Sequence, residues 1–361
     1  MLGGSPAYAF PVLENLIQQL GALQSLSAAQ IAAAVNALTT ESVSVEHKAT
    51  FLTALAKKGE AVEEIAAFAH ELRSRAIPPP LDAETRSREI LDVCGTGGDH
   101  LGTFNISTTV AIVCAAAGVT VAKHGNRAIT SQAGSADVLE ALGIRVDLSP
   151  GDAAARLRDH GFAFFFAPNY HPAFKHIAPA RKLCAARGER TIFNFLGPLL
   201  NPACPSAQLL GVAKPDLCAP LAQVLQSLGI RRGMVVSGLV HHQTTKAQSL
   251  DELSTLGINT VAEFYQEHGF TSSTLDPNQF PLQPATLADL IGGDRETNAE
   301  IIRRILHGAD RGPKRDAVLL NAGAALFVAG RARSIGAGWE LAAELIDCGK
   351  ATAKLGQLQR G

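Results

Sequence analysis

From Glu89 onward, short apolar runs bounded by glycine alternate with helix-patterned stretches, and this alternation constrains the fold more than any other feature of the chain. The runs are Ile90–Cys94, Val119–Lys123, Phe162–Ala167, Gln208–Val212 and Met234–Ser237. Strands separated by helices need crossover connections, so the pattern predicts a mainly parallel sheet with helices on its faces. Helical patterns return at about Asn298–Leu306, Arg315–Ala329 and Gly338–Cys348.

Residues 1–75 have a different texture, helical throughout. Ser27 with Gln30 reads as a capping box opening a helix through Leu38. A second helix is expected from Val45 to Lys58, stopping at Gly59. A third, Glu60 to Arg75, ends before Ile77-Pro78-Pro79-Pro80, where proline removes donors and disfavours helix. A chain of 361 residues is long for one compact core. The expected layout is therefore a small helical domain, a stiff linker and a larger α/β domain. Leu13, Leu16, Ile17 and Leu20 form an apolar stripe near the start, read as a dimer face, with packing inside one chain as the alternative.

Composition removes several classes. Apolar residues make up 47% and aromatic ones 5%, which suits an Ala-, Leu- and Gly-rich α/β protein rather than a β-sandwich or a disordered chain. A net charge of −1 argues against a dedicated nucleic-acid binder. The six cysteines are scattered without a C-x-x-C pair, which disfavours a zinc site or disulfide framework and suits reduced thiols. Met1 to Leu20 lacks the basic and apolar regions of a signal peptide. The longest nearly apolar run, Val110 to Ala122, is too short to span a bilayer. A soluble, cytoplasmic protein is expected, with no membrane or nucleic-acid partner.

Two segments carry chemistry. In Leu91-Asp92-Val93-Cys94-Gly95-Thr96-Gly97-Gly98-Asp99, a strand empties into a glycine loop, and Thr103-Phe104-Asn105-Ile106-Ser107-Thr108 leads into a helix near Ser107. Glycines let backbone N–H groups approach a phosphate, and a helix N-terminus adds unpaired donors. Ser107 and Thr108 suit a cap or a metal contact, and an ordinary strand-to-helix turn fits the glycines equally well. A dinucleotide fingerprint is disfavoured, because its sixth position is His100 and the helix starts late.

In the second segment, Val119-Thr120-Val121-Ala122-Lys123-His124-Gly125-Asn126-Arg127, a buried strand again delivers polar residues at its carboxyl end, where open α/β sheets hold ligands. Lys123 and Arg127 suit anionic oxygens, and Asn126 offers an amide. The competing reading is a solvated charge cluster. The chain runs on through Ser131 to Gly134-Ser135-Ala136-Asp137.

These strings, in this order, resemble the anthranilate phosphoribosyltransferase family. The resemblance continues through Phe166-Ala167-Pro168, His171-Pro172-Ala173, Thr191-Ile192-Phe193-Asn194, Leu196-Gly197-Pro198-Leu199 and Asn201-Pro202-Ala203, and more weakly from about Leu13 to Leu355. It implies a nucleoside-phosphorylase-like α/β fold, with a helical domain of residues 1–76 completed by about 172–200. The larger domain would be 77–171 with 201–361. The implied reaction transfers phosphoribosyl from phosphoribosyl diphosphate to the amine of anthranilate, releasing diphosphate, in tryptophan biosynthesis. Members are commonly homodimers.

Residue by residue, Gly95, Gly98, Asp99 and Thr103 match positions lining the phosphoribosyl diphosphate site, and Asn105, Ile106, Ser107 and Thr108 match those holding the diphosphate. Lys123, His124, Gly125, Asn126, Arg127, Ala128, Ile129, Thr130 and Ser131, with Ser135, match the loop closing over that substrate. Gly95, Asn126 and Arg181 match anthranilate contacts, and Lys123 and Arg181 are the expected catalytic pair. Ser107, Asp251 and Glu252 match ligands of two magnesium ions. Two departures stand out. Extra residues between Arg181 and Arg190 make Arg187 a rival for the carboxylate. The path from Ser237 to the acidic pair is longer than usual and carries His241 and His242, which read as solvated or lid residues rather than a metal site. The competing functions are a pyrimidine nucleoside phosphorylase-like enzyme, which Lys123-His124-Gly125-Asn126-Arg127 does not suit, and a non-catalytic nucleic-acid-binding relative.

Overall fold

A computed structural model describes residues 9–128, 132–240, 248–265 and 268–360. In chain order the helices before the sheet are α1 (Ala9–Gly21), α2 (Ala28–Thr39), α3 (Val45–Lys58), α4 (Val62–Ser74) and α5 (Ala83–Ser87). There follow β1 (Ile90–Gly95), α6 (Ile106–Ala116), β2 (Thr120–Gly125), α7 (Ser135–Ala141), α8 (Pro150–His160), β3 (Phe162–Phe166), α9 (Ala167–Tyr170), α10 (Ala178–Ala186), α11 (Phe193–Leu196), β4 (Ala207–Gly211), α12 (Cys218–Ser227) and β5 (Arg232–Val240). The last elements are β6 (Gln248–Leu250), β7 (Asn259–Tyr265), β8 (His268–Leu275), α13 (Arg295–Leu306), α14 (Pro313–Val328), α15 (Ile335–Asp347) and α16 (Lys350–Arg360). The chain divides into two compact units: Met1–Ile77 with Tyr170–Leu200, and Pro78–Asn169 with Asn201–Gly361.

The first unit is helical. Ser27 caps α2 through Gln30, whose side chain bonds back to the Ser27 N–H at 2.9 Å. Gly59, at φ 85°, closes α3 in a conformation that costs glycine little. The bundle is pinned inside by Glu64, which is fully buried and accepts from Lys58 Nζ at 2.6 Å and from the Leu26 and Ala61 N–H groups at 2.8 Å. Leu13, Leu16 and Leu20 are buried within this unit. The stripe read as a dimer face is therefore largely used inside the monomer, and only Ile17 of the four keeps partial exposure. That correction has a simple cause: a short terminal helix hides its apolar side in the nearest groove, its own bundle's.

The second unit is a helix-flanked sheet. Among the described residues, eight strands form one sheet in the order β3-β2-β1-β4-β5-β7-β8, with β6 on β5. The pairings from β3 to β5 are parallel, and those of β5 with β6 and β7, and of β7 with β8, are antiparallel. The α/β class with a mainly parallel sheet is thus what the chain forms. The five strand readings match to within three residues at either end, whereas β6, β7 and β8 and the terminal helix α16 escaped the pattern. In β8 the run Thr271-Ser272-Ser273-Thr274 is exposed, because an edge strand need not alternate in polarity. Helix α6, buried from Thr108 to Ala115, forms the centre of the core.

Candidate active site

The site grows from the carboxyl ends of β1, β2 and β4, where loops leave a parallel sheet and ligands collect. Gly95 ends β1 directly beside Gly211, the last residue of β4. Both lack a side chain for a physical reason. A Cβ on Gly95 would collide with the Asp251 carboxylate, and one on Gly211 with the Asp251 carbonyl. Two strand ends are thus left bare so that the acidic segment can lie across them. Gly211 was not singled out from sequence, and only the cross-strand register reveals it.

Beyond Gly95 the loop turns through Gly97 and Gly98, at φ 73° and 85°. The Gly97 N–H donates to Asp251 Oδ2 at 2.6 Å. Asp99 lies against Asp251, and its carboxylate accepts from the Leu101 N–H at 3.2 Å. Thr103 forms an isolated bridge with Ile291, and the Phe104 N–H bonds Leu290 O, which anchors the far end of the loop.

Asn105 stands at the N-cap of α6 without capping it by its side chain. Its Nδ2 donates to Ala133 O at 3.3 Å, and its Oδ1 accepts from Asn298 Nδ2 at 2.9 Å. Ile106 and Thr108 point their side chains into the core, and the Ile106 N–H bonds Phe104 O at 2.7 Å. The Ser107 N–H meets Glu252 Oε1 at 3.2 Å. Lys123, 2% exposed, donates to Val93 O at 2.6 Å and Ser107 Oγ at 3.3 Å. Asp92 lies beneath, accepting from Asn201 Nδ2 at 2.9 Å; burial pushes its carboxyl up to about 6 despite the pull of Lys123.

Burial also raises both members of the acidic pair well above the ordinary carboxylate range. For Asp251 the next cause is the charge of Asp99, and for Glu252 that of Asp251, which Lys123 only partly offsets. The long path after Ser237 does not carry the pair away: it delivers both carboxylates to the glycine loop and the start of α6.

At the end of β2, Gly125 makes room for Ser135 Oγ, and in the loop that follows Asn126 Oδ1 accepts from the Arg127 N–H at 2.8 Å. Arg127 is committed elsewhere than to a phosphate. It forms a forked pair with Glu140 at 2.6 and 2.7 Å, reaches Asp137 at 3.2 Å and lies over the Phe166 ring. Asp137 also accepts the Ala128 and Gly134 N–H groups at 2.9 Å, which ties the two ends of this loop together. His124 sits buried, with its N–H 3.4 Å from Asp92 Oδ1. Ile129, Thr130 and Ser131, like His241 and His242, lie outside the described residues.

Arg181 belongs to the helical unit, on α10. Its guanidinium lies 5.2 Å from the Phe193 ring centroid. Phe193 meets Phe174 edge-on, and Phe174 meets His171 edge-on, so the one ring beneath the cation is itself braced by two others. Burial alone pulls its pKa down; no carboxylate partner for it is seen among the described residues. Arg187, the rival, is exposed at the helix end.

Two family models match the chain: the helical bundle domain of a glycosyl transferase family over residues 14–76, and that family's a/b domain over 87–352. The anthranilate phosphoribosyltransferase of Lacticaseibacillus paracasei is 45% identical over 347 residues, covering 96% of both chains. The chain belongs to the anthranilate phosphoribosyltransferase family. Anthranilate phosphoribosyltransferases also match it in structure. That of Thermus thermophilus aligns with a TM-score of 0.83 at 41% identity, over 96% of this chain and 99% of the other. That of Saccharomyces cerevisiae, solved in complex with PRPP and Mg, aligns with a TM-score of 0.83 at 26% identity over 97% of each chain. Among the described residues no helix is long and apolar enough to cross a membrane.

Proposed function

We propose that this chain transfers the phosphoribosyl group of phosphoribosyl diphosphate to the amine of anthranilate, releasing diphosphate, as a magnesium-dependent step of tryptophan biosynthesis. The observation that carries the reading is the meeting of Asp251 and Glu252 with a glycine loop, a helix N-terminus and Lys123. Two adjacent carboxylates whose charge is disfavoured by burial suit a divalent cation, which would restore their ionised form. Among the described residues no group of three or more His, Cys, Asp or Glu side chains forms a metal cage. Magnesium needs none, since it holds waters and substrate oxygens beside one or two carboxylates. Asp251, Glu252 and Ser107 are its proposed ligands, serving two ions. When bound, magnesium supplies neutralisation of charge on the departing diphosphate.

The rest falls to the chain's own groups. Asn105, Ile106, Ser107 and Thr108 are the proposed diphosphate contacts at the start of α6, where the Ile106 and Ser107 N–H groups bond Phe104 O and Glu252 before substrate arrives, with Gly95, Gly98, Asp99, Thr103 and Ser135 lining the same substrate's site. Lys123 uses two of its three hydrogens on Val93 O and Ser107 Oγ, which leaves the third for a substrate oxygen. At the end of β2 and just beyond it, His124, Gly125, Asn126, Arg127 and Ala128 are further proposed contacts of that substrate. Arg181 is proposed to take the anthranilate carboxylate in its fork, with the Phe193 ring beside it in the same unit. An aromatic amine is neutral and nucleophilic near pH 7, so the displacement at the anomeric carbon demands no general base. Holding both reactants in register supplies up to about 7–11 kcal/mol of the barrier.

We also propose a homodimer, as the family resemblance implies, and action in the cytoplasm, which suits six free cysteines. The test is direct: purified protein with both substrates and magnesium should deplete anthranilate fluorescence. No loss with fresh phosphoribosyl diphosphate, at any magnesium concentration, would overturn the reading.

A further inference from the structure

We infer that two buried asparagines, Asn321 of α14 and Asn259 of β7, are positioning residues for the Asp251–Glu252 pair and hold it in place from the residues that follow it. The β5–β6 ladder runs from Val240↔Gln248 to Gly238↔Leu250 and stops there, one residue short of the pair. Beyond the ladder the backbone is held by side chains. The Leu253 N–H donates to Asn321 Oδ1 at 2.9 Å, and Asn321 Nδ2 donates back to Leu253 O at 2.9 Å. The Ser254 N–H donates to Asn259 Oδ1 at 2.6 Å, and Asn259 Nδ2 donates back to Ser254 O at 3.0 Å. Each amide thus takes both backbone groups of one residue, as a neighbouring strand would, and the two residues so gripped are consecutive.

Both asparagines are fully buried, and each is anchored by further bonds: Asn321 to Ala317 O, Asn259 to Gly257 O and Leu275 O. Of the uncharged side chains, an amide alone supplies donor and acceptor in this fixed fork, and no apolar residue of the same size replaces it. Gly238 closes the arrangement, because a Cβ there would strike Ser254 N and Glu252 O. The segment is therefore pinned immediately after Glu252 and crowded at Asp251 by Gly95 and Gly211. The sequence signal is faint, two asparagines 62 positions apart by their numbering, 259 and 321, in elements of different type.

The inference rests on reading the acidic pair as magnesium ligands. It is tested on the full chain with Asn321→Leu and Asn259→Leu, and with Val328→Ala as a control in the same helix as Asn321, buried but outside the site. The magnesium concentration for half-maximal turnover should rise about tenfold in each asparagine variant, as loss of an outer partner does elsewhere. Turnover at saturating magnesium should fall far less. The gain in melting temperature from magnesium with phosphoribosyl diphosphate should shrink likewise. Val328→Ala should lower the melting temperature and leave the magnesium requirement unchanged. If a leucine variant does not fold, amide exchange in the metal-free parent decides. The Leu253 and Ser254 amides should exchange only through global unfolding, and exchange through local opening would overturn the inference. An unmoved magnesium requirement in both variants, beside a magnesium-dependent parent, would sink the clamp alone. A parent without magnesium-dependent activity would sink the functional reading instead.

Discussion

Arg127 and Arg181 both looked, from sequence, like cations waiting for an anion, yet their surroundings differ in kind. Arg127 is answered within its own unit by Glu140 and Asp137, and these acids hold its pKa above the ordinary arginine value. Arg181 rests on the face of Phe193, and burial alone lowers its pKa. A half-buried guanidinium without a carboxylate is costly unless a ligand supplies one. One arginine therefore organises a loop, and the other is the proposed contact of the anthranilate carboxylate. The contrast repeats with signs reversed at Asp251 and Glu252, where negative charge lacks full compensation.

The sharpest way to break this picture is to neutralise the acids. Asp251→Asn with Glu252→Gln preserves shape and should cut turnover by about 10²-fold or more, since each 1.36 kcal/mol is tenfold. Raised magnesium should recover part of the loss by mass action. Near-normal turnover at low magnesium would reduce the pair to structural charge.

Next in size is the acceptor side. Arg181→Ala should lower kcat/KM for anthranilate by about 10–100-fold, the worth of a charge-assisted pair, and shift the KM for phosphoribosyl diphosphate by less than about twofold. Arg187→Ala should do neither. Equal loss for both substrates, or a larger effect at Arg187, would move the assignment.

A pH titration sharpens the electrostatic half of the comparison. Asp251 and Glu252 have folded pKa values above their unfolded ones, so the folded state binds more protons between the two. Stability of the metal-free protein is fully present below the unfolded values near 4 and falls as pH rises through the raised ones. Thermal melts across this window should show that decline, and the Asn–Gln double variant should flatten it. A slope equal in both proteins would mean that these carboxylates are not the source.

The smallest effect belongs to Arg127. Glu140→Gln removes a partly exposed ion pair, and such pairs contribute about 1 kcal/mol or less, so the KM for phosphoribosyl diphosphate should change by under about fivefold. A larger rise would show that Glu140 sets the position of the whole loop.

The two textures of the chain, helical before Glu89 and alternating after it, were legible from residue order alone. Alternating apolar runs and glycine punctuation are local signals, since side-chain periodicity and backbone freedom act within a few residues. For the same reason Gly95, Gly97 and Gly98, the start of α6 and Lys123 were legible, as was the capping box at Ser27. What only the tertiary structure decided was which charges are already satisfied. Glu140 stands 13 residues from Arg127, and Asn321 stands 68 from the backbone it grips. Leu13 and its neighbours show the same limit, because an apolar stripe does not say which surface covers it. Periodicity reports which face of an element is apolar, whereas partnership depends on chain segments that meet only after folding.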